Sequence, residues 1–102
     1  MKDVMIDTTL LALGHRFSDE EMKILASIPN HVKVKNHLIR FGKITDREAR
    51  DFYGYTRLSD AIYRLRYKIE PRMNIETVDT EGVNRFGRRV HFATYYYKED
   101  EE

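Results

Sequence analysis

Apolar residues recur at helical spacing through the first two thirds of the chain, and this periodicity predicts four helices. Ser18 and Glu21 form a capping box, in which each side chain satisfies a backbone N–H of the first turn. We expect the helix that follows to end at Pro29-Asn30. Its expected inward face consists of Met22, Leu25 and Ile28.

The second predicted helix covers residues 31–41. Val34, Leu38 and Phe41 recur at i, i+4 and i+7, which places them on one face. Gly42 suits the left-handed conformation that commonly follows a helix. The third predicted helix begins at a second capping box.

That box joins Thr45 to Glu48, and the helix it opens spans only about eight residues before Gly54 ends it. Ala49 and Phe52 are expected to face inward. Two capped helices separated by a glycine turn indicate a helix-turn-helix.

The fourth predicted helix is longer and carries basic residues. Thr56 can cap it, and Pro71 prevents it from continuing much past residue 70. Its expected inner face contains Leu58, Ile62 and Leu65.

After residue 73 the apolar period changes from helical to alternating, with β-branched and aromatic residues enriched. Residues 79–89 contain the turn formers Gly82, Asn84 and Gly87, and residues 90–97 again favour a strand. These features predict a β-hairpin with a long, basic tip.

Three segments follow from these patterns: an accessory N-terminal segment with a helix (1–30), a main domain (31–97) and an acidic tail (98–102). Within the first segment, residues 4–13 fit either a short helix opening at Asp7 or an edge strand. Their apolar periodicity does not distinguish between these two structures.

The composition is that of an ordinary globular protein of 102 residues, with 41% hydrophobic and 34% charged residues and no cysteine. It has no apolar run long enough to cross a bilayer and no basic start typical of a signal peptide, so we expect a cytoplasmic protein that does not enter membranes. The formal net charge is only +1, but residues 31–97 hold 14 Lys and Arg against 8 Asp and Glu. Such a basic unit between acidic ends indicates a polyanionic partner.

The order of elements therefore predicts an α+β winged helix-turn-helix: a three-helix core, a β-hairpin wing and an additional N-terminal helix. A helix about 10–12 Å wide fits a DNA major groove about 12 Å wide. Candidate DNA contacts on the fourth helix are Arg57, Ser59, Tyr63 and Arg64, and those on the hairpin tip are Arg85, Arg88 and Arg89. The alternative for both groups is a solvated surface, with Asp60 and Arg64 as an i, i+4 pair.

Residues 42–66, GKITDREARDFYGYTRLSDAIYRLR, closely resemble a family of small helix-turn-helix domains found mainly in bacteriophages and prophages. The resemblance continues through the NIET stretch at 74–77 and the RFGRRVHFATY stretch at 85–95, and it spans residues 32–97. It implies a DNA-binding fold with a recognition helix and a wing. The chain departs from the pattern at residues 68–72, where KIEPR replaces a short glycine-containing turn and can tilt the wing.

We expect no enzymatic activity, no metal and no cofactor, because no nucleophile motif, phosphate loop or metal-ligand histidine spacing occurs. The predicted function is therefore duplex-DNA binding, as a phage-type transcriptional regulator or a DNA-transaction accessory factor. The rival is a phage-encoded inhibitor that docks on a host enzyme or defence complex, as anti-CRISPR proteins do. Under either hypothesis, residues 4–28 can form a homodimer interface.

Overall fold

The computed structural model describes residues 6–98, which form an α+β fold of five helices and one three-stranded antiparallel sheet. The elements are a 3₁₀ helix (Thr8–Leu13), α1 (Asp19–Ser27), α2 (Asn30–Phe41), β1 (Lys43–Thr45), α3 (Asp46–Tyr53), α4 (Leu58–Tyr67), β2 (Ile75–Val83) and β3 (Arg89–Tyr97). The α+β class is confirmed. The structure adds a strand, β1, to the expected arrangement, and Thr8–Leu13 form the short helix rather than the edge strand. The start of the segment at Val4 and most of the acidic tail lie outside the described residues.

Both capping boxes are formed as the sequence predicts. The Ser18 backbone N donates to Glu21 Oε1 at 2.8 Å, and the Glu21 backbone N donates to Ser18 Oγ at 3.2 Å. Thr45 and Glu48 make the same reciprocal pair at 3.0 and 3.2 Å. These bonds satisfy first-turn N–H groups that have no partner within the helix, and so they set where α1 and α3 begin.

The core lies between α2, α4 and the inner face of the sheet. Its buried members come from every element after α1, so the hydrophobic effect ties these elements together. The buried cluster is Val34, Leu38, Ile44, Ala49, Leu58, Ala61, Ile62, Leu65, Met73, Ile75 and Tyr95. The expected inner face of the fourth helix is confirmed in full.

Two expected inward residues lie at the surface. Met22 is 47% exposed and Phe41 is 38% exposed, whereas Leu25 is only 3% exposed. Helix α1 lies at the periphery and buries Leu25 alone among its residues, so no element of residues 6–98 covers Met22. The predicted helical period is correct. Periodicity alone does not show how many residues of an apolar helix face the neighbouring elements bury.

The N-terminal segment is bound to α2 by a polar network. Asp7 caps the 3₁₀ helix, whose residues Thr8 and Thr9 are buried. Arg40 Nη1 donates to Asp7 Oδ2 at 2.7 Å and to Thr9 Oγ1 at 2.9 Å. The Thr9 hydroxyl bond, with help from Arg40, holds the pKa of Asp7 below its usual value. Of the two interpretations of residues 4–13, the helix opening at Asp7 is correct.

The sheet has the strand order β1-β3-β2, so the last strand lies in the centre. Strand β1 pairs only with the end of β3, where Ile44 lies opposite Tyr95. The pairing of β2 with β3 continues well beyond, as far as Val83 and Arg89. The outer part of the hairpin is therefore a two-stranded ribbon that projects from the core. Among the helices of residues 6–98, none has the length and apolar character to span a bilayer.

Candidate nucleic-acid interface

A tight turn joins α3 to α4. Gly54 has φ of +67°, a left-handed conformation that glycine adopts without steric cost. Its backbone N donates to Arg50 O at 3.0 Å, and the Tyr55 backbone N donates to Ala49 O at 3.1 Å. These two bonds end α3 and fix the direction in which the chain enters α4.

Helix α4 begins one residue later than Thr56 capping predicts. Arg57, not Thr56, occupies the N-cap position, and no side chain caps this end of the helix. The Arg57 side chain lies 3.4 Å from Asp60 Oδ2 in an exposed ion pair. Arg57 therefore precedes the helix, and Asp60 pairs with it at i, i+3 rather than with Arg64 at i, i+4.

The buried and exposed residues of α4 divide cleanly around its axis. Leu58, Ala61, Ile62 and Leu65 are at most 1% exposed. Among the candidate contacts on α4, Ser59, Tyr63 and Arg64 all face solvent. The expected exposure of the predicted contacts on this helix is therefore correct.

The two flanks of α4 face different surroundings. Arg64 lies on the flank near the start of α2, where it lines a shallow groove with Pro29, His31 and Tyr55. Burial, reinforced by Asp60, raises the pKa of Tyr55. The opposite flank, which carries Arg66, faces the sheet.

Arg66 joins α4 to the wing instead of adding free charge to the surface. Its Nε and Nη2 atoms donate to Ile75 O at 3.0 and 2.8 Å, and Nη2 also donates to the Thr77 hydroxyl. Planar, charged guanidinium donors make strong bonds of this kind. This clamp ties α4 to β2, and no local pattern in the sequence indicates it, because the two partners are nine and eleven residues away.

The far end of α4 carries exposed aromatic rings. The ring centroids of Tyr63 and Tyr67 lie 5.2 Å apart, and Lys68 Nζ lies 5.9 Å from the centroid of Tyr63. Both tyrosines are about half exposed, at 52% and 53%. This surface can offer stacking and hydroxyl donors beside a cation.

The hairpin turn, residues 84–88, is called the wing tip here. Asn84 organises it: the Asn84 side-chain Oδ1 accepts from the backbone N of Phe86 at 2.9 Å and of Arg88 at 3.0 Å. The Asn84 backbone N donates to Arg88 O at 2.9 Å, and Gly87 N donates to Asn84 O at 3.0 Å. Gly87 takes φ of +80°. The expected long tip is thus a compact five-residue turn, because β2 and β3 extend further than expected.

Arg89, expected at the tip, is the first residue of β3. It pairs across the ribbon with Val83, and its Nη1 atom lies 3.5 Å from Glu81 Oε2. His91 and Asp79 form a second cross-strand contact at 3.3 Å on the same face. Arg89 is therefore compensated by a carboxylate on this face of the ribbon.

The structure thus distributes the seven predicted contacts over two exposed regions. Within residues 6–98, no carboxylate oxygen lies within 4 Å of the guanidinium of Arg64, Arg85 or Arg88. Arg57 and Arg89 are partly neutralised by their neighbours. Among the five arginines of the predicted contact set, Arg64, Arg85 and Arg88 are therefore the ones without a carboxylate partner in the described residues.

The other basic residues of the 31–97 segment have different environments. Lys33 is only 8% exposed, and its burial lowers the pKa of its ammonium group. Arg40 is held by the Asp7 network. Arg47 and Arg50 line a groove between the start of α3 and the wing, which brings them closer to the hairpin than their sequence positions indicate.

His37 is the buried histidine of the described chain, and it has a structural role. Its Nδ1 atom is 2.6 Å from Tyr53 Oη, and it packs against the ring of Phe41. Burial lowers the pKa of His37 and raises that of Tyr53. The pair stabilises the contact between α2 and α3.

Comparison with known proteins adds no relative to this description: no protein-family model, curated protein or solved structure matches the chain.

Proposed function

We propose that this chain binds double-stranded DNA as a winged helix-turn-helix, with α4 as the recognition helix and the β2–β3 hairpin as the wing. The order α2-β1-α3-α4-β2-β3 and the sheet order β1-β3-β2 support this layout. Helix α4 packs on α2 and follows the short helix α3 after the Gly54 turn, an order of elements that a groove-inserted recognition helix also has.

One observation carries the proposal. The exposed face of α4 and the wing tip each present arginines that no described carboxylate neutralises, Arg64 on the helix and Arg85 and Arg88 on the tip. Arginine side chains of this kind bind phosphates and guanine edges. Two cationic elements held at a set angle by Arg66 suit a duplex better than a small anion.

The polar side chains on α4 have separate roles under this proposal. Arg64 reaches a base edge or a phosphate from one flank, and Ser59 and Tyr63 do so from the other. Arg57, with its Asp60 partner, contributes at the helix start. A regulator or an accessory factor in DNA transactions would both use such a surface.

A salt-dependent titration tests the proposal. We would compare the wild type with Arg64→Ala/Arg88→Ala and with the charge-matched control Arg16→Ala/Lys23→Ala, whose residues are exposed in the N-terminal segment. Each phosphate contact contributes about 0.9 to the slope of log K against log salt. We expect the first variant to lower this slope by up to about 2 and the control to leave it unchanged.

Duplex binding that is undetectable for the wild type at low salt would refute the proposal. Equal losses in the two variants would also contradict it, since they would reflect net charge rather than a site.

A second candidate function is protein binding, as an inhibitor of a host enzyme or defence complex. The observation that favours it is that two apolar side chains of α1 are left uncovered by the described residues, Met22 at 47% and Ile24 at 38% exposure, beside the acidic first turn of that helix. At i, i+2 spacing they lie on different sides of α1, so they would serve as two separate contact points. If Met22→Ser/Ile24→Ser leaves duplex affinity unchanged, α1 is not part of the DNA interface. A loss of dimer in light scattering for that variant would assign the surface to self-association.

A further inference from the structure

We propose that Phe86 is an apolar wedge that enters the minor groove and partly unstacks a base step. The inference rests on the proposed function and adds a mode of DNA deformation to it. It starts from a single unusual feature, a phenylalanine at the apex of the wing.

Phe86 is 81% exposed. It is more exposed than Val83 at 69% or Phe92 at 40%, which belong to the adjoining strands. No packing within residues 6–98 accounts for an aromatic ring at this position. An isolated apolar ring in water gains stability when a partner covers it, and so the tip favours a complex in which the ring is buried.

The turn holds the ring in an outward position before any partner binds. Asn84 Oδ1 accepts from the backbone N of Phe86 and of Arg88, and the strands close below it through the Asn84–Arg88 backbone bond. Binding therefore requires less ordering of the loop than a flexible tip would, which favours affinity.

The neighbours of Phe86 determine the kind of partner. Arg85 and Arg88 flank it in the same five-residue turn, without a described carboxylate within 4 Å. Arginine is favoured in the negative potential of a narrow minor groove. Apolar side chains between such cations are the wedges that proteins insert between base steps from the minor-groove side.

The shape of the hairpin permits this insertion. The ribbon beyond the end of β1 has only two strands, so the tip is far narrower than the body of the protein. Arg66 fixes the other end of the ribbon to α4. Because the wing is anchored to α4, the placement of α4 in one groove determines where Phe86 lies in the next groove.

The experiment measures bending and base unstacking together. A duplex of about 30 base pairs, selected from a random pool by the full-length protein, would carry dyes at its ends for energy transfer. A second copy would carry 2-aminopurine at a central TA step, where DNA unstacks most easily. We would compare the wild type with Phe86→Ala, with Phe86→Leu and with Ile39→Ala, whose residue is 55% exposed on α2.

We expect the wild type to bend the duplex by about 20–90° and to raise the 2-aminopurine fluorescence. Phe86→Ala should abolish both signals and weaken binding about tenfold. Phe86→Leu should keep the bend, because leucine also acts as a wedge. Ile39→Ala should match the wild type in both the bend angle and the 2-aminopurine fluorescence.

The following outcomes would each contradict the proposal that Phe86 is a wedge. If the wild type binds the duplex without a bend, or if Phe86→Ala bends it equally, the inference is wrong and the DNA-binding proposal stands. If the full-length protein binds the single strand more tightly than the duplex, Phe86 is a stacking platform and not a wedge. If the wild type binds no duplex at all, the proposed function fails and the wedge fails with it.

Discussion

Helix α4 and the wing tip both present exposed arginine side chains, but different interactions hold these two regions in place. Four side chains of α4 lie in the core at no more than 1% exposure, and Arg66 ties the helix to β2. Every residue of the wing tip is exposed, and the hydrogen bonds around Asn84 alone hold its shape. The position of α4 is therefore a property of the whole domain, while the shape of the tip is a local property.

This difference has a practical consequence. A substitution on the buried side of α4 changes folding and any surface the helix presents at the same time. A substitution at the tip changes the surface and leaves the fold intact. Three substitutions separate these effects, taken from the largest expected change to the smallest.

Ile62→Ala should lower the free energy of unfolding by about 3–4 kcal/mol, because truncating a fully buried large side chain leaves a cavity in the core on which α4 packs. Urea denaturation followed by circular dichroism measures this loss. Ser59→Ala on the exposed face is the control, with a change within about 0.5 kcal/mol. A loss below about 1 kcal/mol for Ile62→Ala would mean that α4 does not depend on the core in the way described.

Arg66→Ala should cost about 2 kcal/mol, because the Ile75 carbonyl and the Thr77 hydroxyl lose a charged donor. The matched control is Arg64→Ala, which removes the same group from the same helix without breaking a side-chain hydrogen bond or ion pair among residues 6–98. The same denaturation measurement applies. If both variants lose equal stability, the clamp between α4 and the wing contributes nothing.

Asn84→Ala should have the smallest effect on global stability, about 0.5–1 kcal/mol, because the freed N–H groups of Phe86 and Arg88 can bond to water. Its local effect should be larger. Amide hydrogen exchange at Phe86 and Arg88 should accelerate while exchange in α4 stays unchanged. Faster exchange in α4 as well would contradict the independence of the tip.

The helices were predictable because their signals are local. Capping boxes at Ser18 and Thr45 and a glycine after α3 act within a few residues of the helix end, so the chain alone specifies them. Strand β1 was not predictable on these grounds. It is three residues long, and its partner on β3 lies about 50 residues further along the chain.

For the candidate contacts too, local sequence patterns predicted some properties and long-range packing decided others. Exposure of Ser59, Tyr63 and Arg64 followed from the helical period, since the opposite face is apolar. The ion pairs of Arg57 and Arg89 depend on which neighbour a long side chain reaches, and the period says nothing about this. The burial of Lys33 likewise depends on the elements that pack over α2.

By itself, then, the sequence determined the α+β class, most helix ends, the inner face of α4 and the existence of a basic hairpin, because caps, turns and periods act over short separations. Tertiary structure alone decided the central position of β3, the clamp from Arg66 to β2 and the attachment of the N-terminal segment through Arg40. It also left Met22 and Ile24 of α1 exposed. These features depend on contacts between residues far apart in the chain, which form only when the packed elements bring them within bonding distance.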